Sequence, residues 1–285
     1  NALGTRRRGG AVGCKALGFA FQLKTWYDEQ VFSNIRTGDR MNQQPITAIL
    51  FDLDGTLLPM EQDAFVRTYF AALAKKVAPL GFAQEPFLAS MWKGTGAMLK
   101  NDGMRTNREA FWDAFAAIWG EAARALETEL VGFYENEFNV ARSVVGEVQP
   151  VGALLQALRE RGLTLCLATN PVFPRVAVET RLSWIGLSFA DFSYVTTYET
   201  AHFCKPNLGY YRETLAAIGK APGECIMVGN NPVDDLSSLE LGLSGFLITD
   251  YLENGTGMDI TPYRRGDFKA MVAFLEEKLG GRLLG

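Results

Sequence analysis

The sequence predicts an α/β fold: a doubly wound parallel sheet with helices on both faces and an inserted α-helical cap. Two observations support this class. Short apolar runs typical of buried strands alternate with segments of helical periodicity along most of the chain. The segment 61–145, which follows the first apolar run, has a helical pattern and interrupts that alternation. The predicted organisation is therefore a core of residues 41–60 and 146–285 with a cap of residues 61–145.

The first predicted strand, 46–51, is followed by the cap helices. The first apolar stripe at helical spacing consists of Phe65, Val66, Tyr69, Phe70, Leu73 and Val77. A second stripe consists of Phe111, Phe115, Ile118 and Trp119, and a third of Leu126, Leu130, Phe133 and Phe138. The pattern Thr106-x-x-Glu109 is a capping box, which predicts the start of the helix that carries the second stripe. These stripes indicate the core of a helix bundle.

One cap segment, 92–105, departs from the apolar periodicity and is predicted to be a loop, because its glycines permit irregular backbone. It carries three cations, Lys93, Lys100 and Arg105, which can contact an anionic substrate. A solvated surface loop is the alternative interpretation.

The rest of the core continues the alternation of strands and helices. The predicted strands are 163–168, 194–198, Cys225–Gly229 and 245–249. The predicted helices are 151–161, 207–218, Leu236–Leu241 and Phe268–Leu279. A further helix is predicted to contain Pro174 in its first turn. Only one helix fits between the strands 194–198 and Cys225–Gly229, so this interval has no room for a second large insertion.

Two carboxylates two residues apart stand at the end of the first predicted strand. In an extended strand, residues i and i+2 point the same way, so Asp52 and Asp54 can address one reaction centre. A carboxylate that attacks a phosphate needs a cation against charge repulsion and a second group that protonates the leaving oxygen. The pair can supply a metal site and that proton. Gly55 and Thr56 permit a sharp turn and offer donors to an anion.

The same segment is also compatible with an ordinary acidic turn or with part of a calcium loop. A calcium loop requires further oxygen ligands at alternating positions. The residues that follow, Leu57-Leu58-Pro59-Met60, continue the apolar character instead, which argues against calcium.

Three further polar groups follow apolar runs downstream. Thr169 and Asn170 end the second run and can donate to a phosphate oxygen, and Lys205 follows the third run with a positive charge. The fourth run leads into Asn230-Asn231-Pro232-Val233-Asp234-Asp235, which adds oxygen ligands. Because parallel sheets bind ligands outside the carboxyl ends of their strands, four such strand ends predict one site. Taken singly, such a threonine is often only a helix cap, and such a lysine a solvated turn.

These four motifs, in this order, resemble those of the haloacid dehalogenase-like (HAD) hydrolase superfamily from about residue 46 to residue 250. The resemblance is to the phosphatase branch with a helical cap after the first motif, which is phosphoglycolate phosphatase-like, and it implies a Rossmann-like core. It also implies roles for single residues: Asp52 is the nucleophile and Asp54 the general acid/base. Thr169 then binds the transferred phosphoryl group, and Lys205 neutralises charge.

The resemblance further implies a bound Mg²⁺, held by the first and fourth motifs. Asp52 and Asp54 of the first motif are its expected ligands, together with Asn230, Asp234 and Asp235 of the fourth. Many relatives have Gly-Asp where this chain has Gly-Asn, and an amide oxygen carries no charge, so a lower metal affinity is expected. The two aspartates can compensate. We favour Asp235 as the ligand and expect the other aspartate to cap the following helix.

The resemblance implies a magnesium-dependent phosphatase that hydrolyses a small phosphorylated metabolite through a phosphoaspartate. A dehalogenase displaces a halide that needs no proton and typically lacks the second aspartate, so Asp54 argues against that activity. Two alternatives stay open. One is a phosphomutase of the same superfamily, and the other is a catalytically weak scaffold that binds a phosphorylated metabolite, which Asn230 and Asn231 make conceivable.

The composition fits an enzyme with a sizeable core, since 48% of the 285 residues are hydrophobic and 21% are charged. The net charge of −4, without a dominant basic stripe, gives no reason to expect nucleic acid, and no segment approaches the length of a membrane span. The cysteines form no C-x-x-C pair, which favours a reducing compartment, so we expect a cytoplasmic protein. We also expect a monomer or a weak homodimer.

Residues 1–40 do not share the pattern of the core. Three arginines at 6–8 and the apolar stretch after them loosely resemble a signal peptide, but Lys15 interrupts the stretch and no clear small-residue cleavage site follows. Met41 comes shortly before the first strand. We therefore expect residues 1–40 to be a disordered or non-native extension.

Overall fold

A computed structural model describes residues 45–284, and the predicted extension 1–40 lies outside this range. The described strands form one parallel sheet in the order β3-β2-β1-β4-β5-β6. They are β1 (Ala48–Phe51), β2 (Thr164–Leu167), β3 (Tyr194–Val195), β4 (Cys225–Gly229), β5 (Ser244–Ile248) and β6 (Arg265–Gly266). The predicted doubly wound sheet is thereby confirmed.

Eight α-helices accompany this sheet in residues 45–284. In the described range they are α1 (Gln62–Val77), α2 (Gln84–Leu99), α3 (Asn107–Trp119), α4 (Leu126–Glu135), α5 (Val151–Glu160), α6 (Arg175–Ser183), α7 (Leu208–Ile218) and α8 (Phe268–Leu279). The first four lie between β1 and α5 in sequence and form the inserted helical cap, whose exact limits stay a prediction. None of the helices in residues 45–284 is both long enough and apolar enough to cross a membrane.

Side chains of the central strands alternate between two apolar layers. On β1, Ile49 and Phe51 belong to a large layer that continues into the cap, whereas Ala48 and Leu50 belong to a smaller layer that packs on α7. All four residues are inaccessible to solvent. A strand covered on both faces carries an uninterrupted apolar run, which explains the sequence of β1. The buried strand also holds its carboxyl end, where Asp52 follows, in a fixed position.

The predicted loop 92–105 is wrong over its first half, because residues 92–99 continue helix α2. Gly94 lies against α3: a Cβ atom at this position would be 2.5 Å from the ring of Phe111. The glycine therefore permits close packing of two helices and does not end the first one. Irregular backbone begins at Lys100 and ends at the predicted capping box, in which Thr106 and Glu109 cap each other's backbone as expected.

Three other boundaries differ from the sequence prediction. Helix α4 ends at Glu135, where Asn136 leaves helical geometry (φ −117°, ψ −82°), so Phe138 lies in a separate 3₁₀ segment, Glu137–Val144. The predicted helix Leu236–Leu241 is also a 3₁₀ segment. The predicted strand 194–198 pairs with β2 over two residues only. Each difference is local and leaves the order of the elements unchanged.

Candidate active site

The carboxyl ends of β1, β2 and β4 meet at a cavity of about 350 Å³. Eight of the predicted site residues line it: Asp52, Asp54, Thr169, Asn170, Lys205, Asn230, Asp234 and Asp235. Parallel strands bring their carboxyl ends to the same edge of the sheet, so motifs far apart in sequence converge there. The predicted single site is therefore present as a cavity. In the following we call it the catalytic cavity.

Asp52 is held by a buried lysine. Lys205 Nζ donates to Asp52 Oδ1 at 2.9 Å and to Asp235 Oδ1 at 2.6 Å. Burial lowers the pKa of Lys205, but the two carboxylates outweigh that effect and keep it well above its usual range. Burial raises the pKa of Asp52 to about 7 although Lys205 opposes the rise. Lys205 is therefore a permanent cation between two aspartates.

Close approach at Gly229 makes room for Asp235. A Cβ atom on Gly229 would lie 2.1 Å from the Asp235 carboxylate, so no other residue fits at the end of β4 without displacing it. The second carboxylate oxygen of Asp235 accepts from the backbone N–H of Asn231 at 2.9 Å. Asp235 thus has a hydrogen-bond partner on both oxygens.

Asp54 contacts a buried arginine that the sequence analysis did not identify. Arg181, on α6, is fully buried, and its guanidinium donates to Asp54 Oδ2. The same guanidinium lies 4.4 Å from the centre of the Phe173 ring. Burial raises the pKa of Asp54, and Arg181 offsets part of that rise. The position of the predicted acid/base is therefore set by α6.

Thr56 and Asn230 contact each other beside Asp52, the predicted nucleophile. The Thr56 hydroxyl lies 3.4 Å from both Asp52 Oδ2 and Asn230 Oδ1. Asn230 Nδ2 donates to the carbonyl of Tyr251 at 2.7 Å. Gly55 has a positive φ of 76°, and a Cβ atom there would be 2.1 Å from Asn230 Nδ2. Glycine at this turn therefore allows the first and fourth motifs to touch.

Asn170 links the second motif to the third and the fourth. Its Oδ1 accepts from the backbone N–H of Lys205 at 3.3 Å, and its Nδ2 lies 3.4 Å from Asp234 Oδ2. Thr169 is fixed through its carbonyl, which accepts from the hydroxyls of Thr196 and Tyr210 at 2.6 and 3.0 Å. Thr169, which lines the cavity, is thus held in place through its backbone.

The donor set of the catalytic cavity suits a hard divalent cation. Five carboxylates line it, those of Asp52, Asp54, Asp234, Asp235 and Glu253, against Lys205 as the basic residue of the lining. Oδ1 of Asp54 and Oδ1 of Asp234 are buried without a hydrogen-bond partner. Burial, and then the nearby Asp235, raises the pKa of Asp234 to about 8, and burial raises that of Glu253 to about 7. A cation would relieve this concentration of buried acid groups.

The cation would not find a complete cage of protein side chains. Within residues 45–284, no three His, Cys, Asp or Glu side chains form a group that could hold a metal ion. Mg²⁺ commonly keeps several waters and binds only one or two carboxylates, and amide and carbonyl oxygens are also acceptable ligands. The residues of the cavity therefore fit Mg²⁺ with water in its shell.

Four predicted substrate-binding residues do not line the catalytic cavity. Thr56 lies behind it, against Asp52 and Asn230. Lys93 and Lys100 are exposed on the cap, and Arg105 pairs with the half-exposed Asp113 at 2.7 Å. The structure does not bring the three cap cations to the reaction centre, so their contact with substrate stays a prediction without geometric support.

The residues that the sequence analysis missed include Arg181, which contacts Asp54, and the lining residues Glu253 and Gln62. Arg181 left a signal in the sequence, because it interrupts the buried stripe that otherwise consists of Ala177, Val178 and Leu182 on α6. A charge on an apolar stripe requires a buried partner. The other two residues lie at a helix start and in a loop, where no periodicity marks them.

The fold and the site define a hydrolase with an aspartate pair at the end of a central parallel strand and a helical cap above it. The model of the haloacid dehalogenase-like hydrolases matches residues 46–241, which is more than half of the chain. The chain therefore belongs to this family, as its motifs predicted.

Named relatives place the chain in the phosphatase branch. It is 28% identical over 204 residues to the pyrophosphatase PpaX of Bacillus velezensis, covering 71% of this chain and 82% of that protein. It is 30% identical over 220 residues to the phosphoserine phosphatase of Thermus thermophilus, covering 68% and 84%. The crystal structure of a HAD phosphatase from Thermococcus onnurineus matches with a TM-score of 0.53 and 20% identity, over 84% of this chain and 100% of that one. At that identity the structural match supports the fold alone.

Proposed function

We propose that the chain is a Mg²⁺-dependent phosphatase that hydrolyses a phosphate monoester through a phosphoaspartate at Asp52. The observation that carries the proposal is the buried Asp52–Lys205–Asp235 arrangement at the wall of the catalytic cavity. A carboxylate approaches a phosphate only if the repulsion between the two anions is offset. Lys205 offsets it on the side of the protein, and its two salt bridges keep it in place.

The proposed reaction has two steps. An oxygen of Asp52 forms a bond to phosphorus while the bond from phosphorus to the leaving oxygen breaks, and Asp54 donates a proton to that oxygen. Water then forms a bond to phosphorus, Asp54 accepts its proton, and the bond to Asp52 breaks. Burial raises the pKa of Asp54 and thereby favours its protonated form, which the first step requires. Thr169 and Asn170 are the donors next to the transferred group.

Bound Mg²⁺ would supply positive charge to the phosphoryl oxygens. We propose Asp52, Asn230 and Asp234 as the side chains that hold it, with Asp54 nearby. Asp235, the ligand favoured from the sequence, has partners on both oxygens, whereas Asp234 has a buried oxygen without one. The expected cap role of Asp234 also lacks support, since Asp235 occupies the cap position without a side-chain cap bond.

We further propose, from the sequence and the family, that the substrate is a small phosphorylated metabolite, that the protein is a monomer or a weak homodimer, and that it is cytoplasmic. The names of the relatives add pyrophosphate and phosphoserine to the compounds that should be tested. The phosphomutase alternative differs from hydrolysis in the fate of the phosphoryl group, because a mutase yields an isomerised phosphate ester and a phosphatase releases phosphate. The reaction product therefore distinguishes the two.

A metabolite-binding protein with weak catalysis is the second candidate, and one observation favours it. The Asp54 carboxylate is engaged by Arg181, whose positive charge opposes the rise of the Asp54 pKa and so acts against the protonated form that donates the proton. An enzyme must weaken this contact during turnover, whereas a binding protein can keep it.

Phosphate release decides between the candidates. The parent protein and Asp52→Asn are incubated with Mg²⁺ and a panel of phosphate compounds that includes the esters p-nitrophenyl phosphate and phosphoserine and the anhydride pyrophosphate. We expect turnover by the parent and a loss of at least about 10³-fold in Asp52→Asn, because the amide keeps the shape but cannot attack. Binding of esters without turnover by the parent would favour the second candidate, and an isomerised phosphate ester as product would indicate a mutase.

A further inference from the structure

A second cavity, of about 460 Å³, adjoins the catalytic cavity between the cap and the core. Gln62, Val172 and Phe173 line both cavities. These three residues therefore form the boundary across which an ester held at Asp52 can extend. We call the second space the cap cavity. Its volume lies in the range of ligand pockets and exceeds what a two-carbon leaving group would fill.

Aromatic rings form much of the wall of the cap cavity. They include Phe65, Tyr69, Trp92, Phe111, Trp112 and Tyr134. The hydroxyls among the wall residues bond to protein groups: Tyr69 and Tyr134 lie 2.9 Å apart through their oxygens, and the Tyr198 hydroxyl donates to Glu127 at 2.5 Å. Because these hydroxyls are engaged with each other or with Glu127, the rest of this wall is mainly aromatic and apolar, and such a surface selects apolar groups.

The charges of the cap cavity disfavour a second anion. Its lining contains the glutamates Glu127, Glu135, Glu179 and Glu199, and Arg175 is its basic residue. The guanidinium of Arg175 lies 4.2 Å from the centre of the Phe189 ring, which is not part of the lining. A carboxylate or a second phosphate would therefore meet an excess of like charge, even though Arg108 neutralises Glu127.

We propose that the cap cavity binds the leaving group, and that the substrate is the phosphate monoester of an uncharged, apolar alcohol. The inference rests on the proposed phosphatase function and adds the class of alcohol. It favours an aromatic or hydrocarbon ester over a phosphorylated carboxylic acid, a sugar phosphate or pyrophosphate. The leaving group would bind because its apolar surface is removed from water in the cap cavity, while the phosphoryl group binds in the catalytic cavity.

Esters with matched leaving groups test the inference. Ethyl phosphate, 2-phenylethyl phosphate and phosphoglycolate all release a primary alcohol, so differences in kcat/KM report mainly contacts of the leaving group. We expect 2-phenylethyl phosphate to exceed both others by at least about ten-fold, since even one extra methylene in an apolar pocket gives about ten-fold or more. If the protein hydrolyses p-nitrophenyl phosphate but uses ethyl phosphate or phosphoglycolate at least as well as 2-phenylethyl phosphate, the inference is overturned. The proposed phosphatase function would then still stand. Hydrolysis of no ester at all would overturn both.

Two cap variants separate binding in the cavity from a general effect. Val131 lines the cap cavity and is 42% exposed, and Val140 lines neither cavity and is 52% exposed. Val131→Asp should lower the kcat/KM ratio of 2-phenylethyl to ethyl phosphate by about five-fold or more, because it places a charge at an apolar wall. Val140→Asp should leave the ratio unchanged. Equal ratios in the two variants would contradict the assignment of the cavity.

Discussion

At the scale of single residues, two buried cations set the charge balance of the site. Lys205 and Arg181 are almost inaccessible to solvent, and they contact Asp52 and Asp54 respectively. A buried ion pair adds little stability relative to apolar groups, but removal of one partner leaves the other charge uncompensated. The two cations therefore fix the aspartate pair, and each is required as long as its aspartate remains.

Arg181→Met should destabilise the protein by about 3–5 kcal/mol, because it leaves Asp54 buried without its cation. The double variant with Asp54→Asn should recover part of that loss. Urea unfolding of the parent, of Arg181→Met, of Asp54→Asn and of the double variant gives the coupling energy. Arg159→Met is the matched control, since Arg159 pairs with Asp191 at the surface, where such pairs contribute about 0–1 kcal/mol. Equal losses for Arg181→Met and Arg159→Met would show that the buried pair is unimportant.

The two aspartates of the fourth motif should respond differently to removal of charge. Asp234→Asn should raise the half-saturating Mg²⁺ concentration about ten-fold or more, as loss of a group around a metal commonly does. Asp235→Asn should mainly lower kcat, because it releases one contact of Lys205. Asn230→Asp should tighten Mg²⁺ binding if Asn230 is a ligand. Titrations of activity against Mg²⁺ measure all three effects. If the half-saturating Mg²⁺ concentration changed in Asp235→Asn alone, Asp235 would be favoured as the ligand, as the sequence predicted.

At the scale of elements, the start of α3 shows how much local sequence determines. Thr106 accepts from the backbone N–H of Glu109 at 3.2 Å, and Glu109 accepts in return from that of Thr106 at 2.7 Å. This reciprocal pattern needs no tertiary contact, so it was predictable. Gly94 of α2 was misinterpreted because the reason for it, its contact with Phe111, is tertiary.

Thr106→Ala should lower the free energy of unfolding by about 1 kcal/mol, the usual cost of a lost N-cap. Ser183→Ala is the control, because the Ser183 hydroxyl donates within its helix at the surface and its loss should cost less than about 0.5 kcal/mol. Thermal unfolding of both variants measures the difference. A change at Thr106 no larger than that at Ser183 would mean that packing alone defines the start of α3.

At the scale of the whole molecule, the parallel sheet explains why the catalytic cavity was predictable. Strand order and parallel direction bring Asp52, Thr169 and Asn230 together whatever the cap contains. The cap cavity was not predictable, because its wall combines stripes that were interpreted as core with residues of 172–176 on the other side of the interface. Helical periodicity indicates that a residue lies on the apolar face of its helix. Only the packed helices show whether that residue contacts another side chain or lines a cavity.

Trapping of the phosphoenzyme tests the central claim most directly. The parent protein, Asp52→Asn and Asp54→Asn are mixed with Mg²⁺ and a hydrolysed ester, quenched in acid and analysed by peptide mass spectrometry. We expect a phosphoryl group on Asp52 in the parent and none in Asp52→Asn. Asp54→Asn should accumulate the adduct with an aryl ester, because formation then needs little proton donation whereas water attack still needs a base. Continued phosphate release by Asp52→Asn, or an adduct on another residue, would contradict the account.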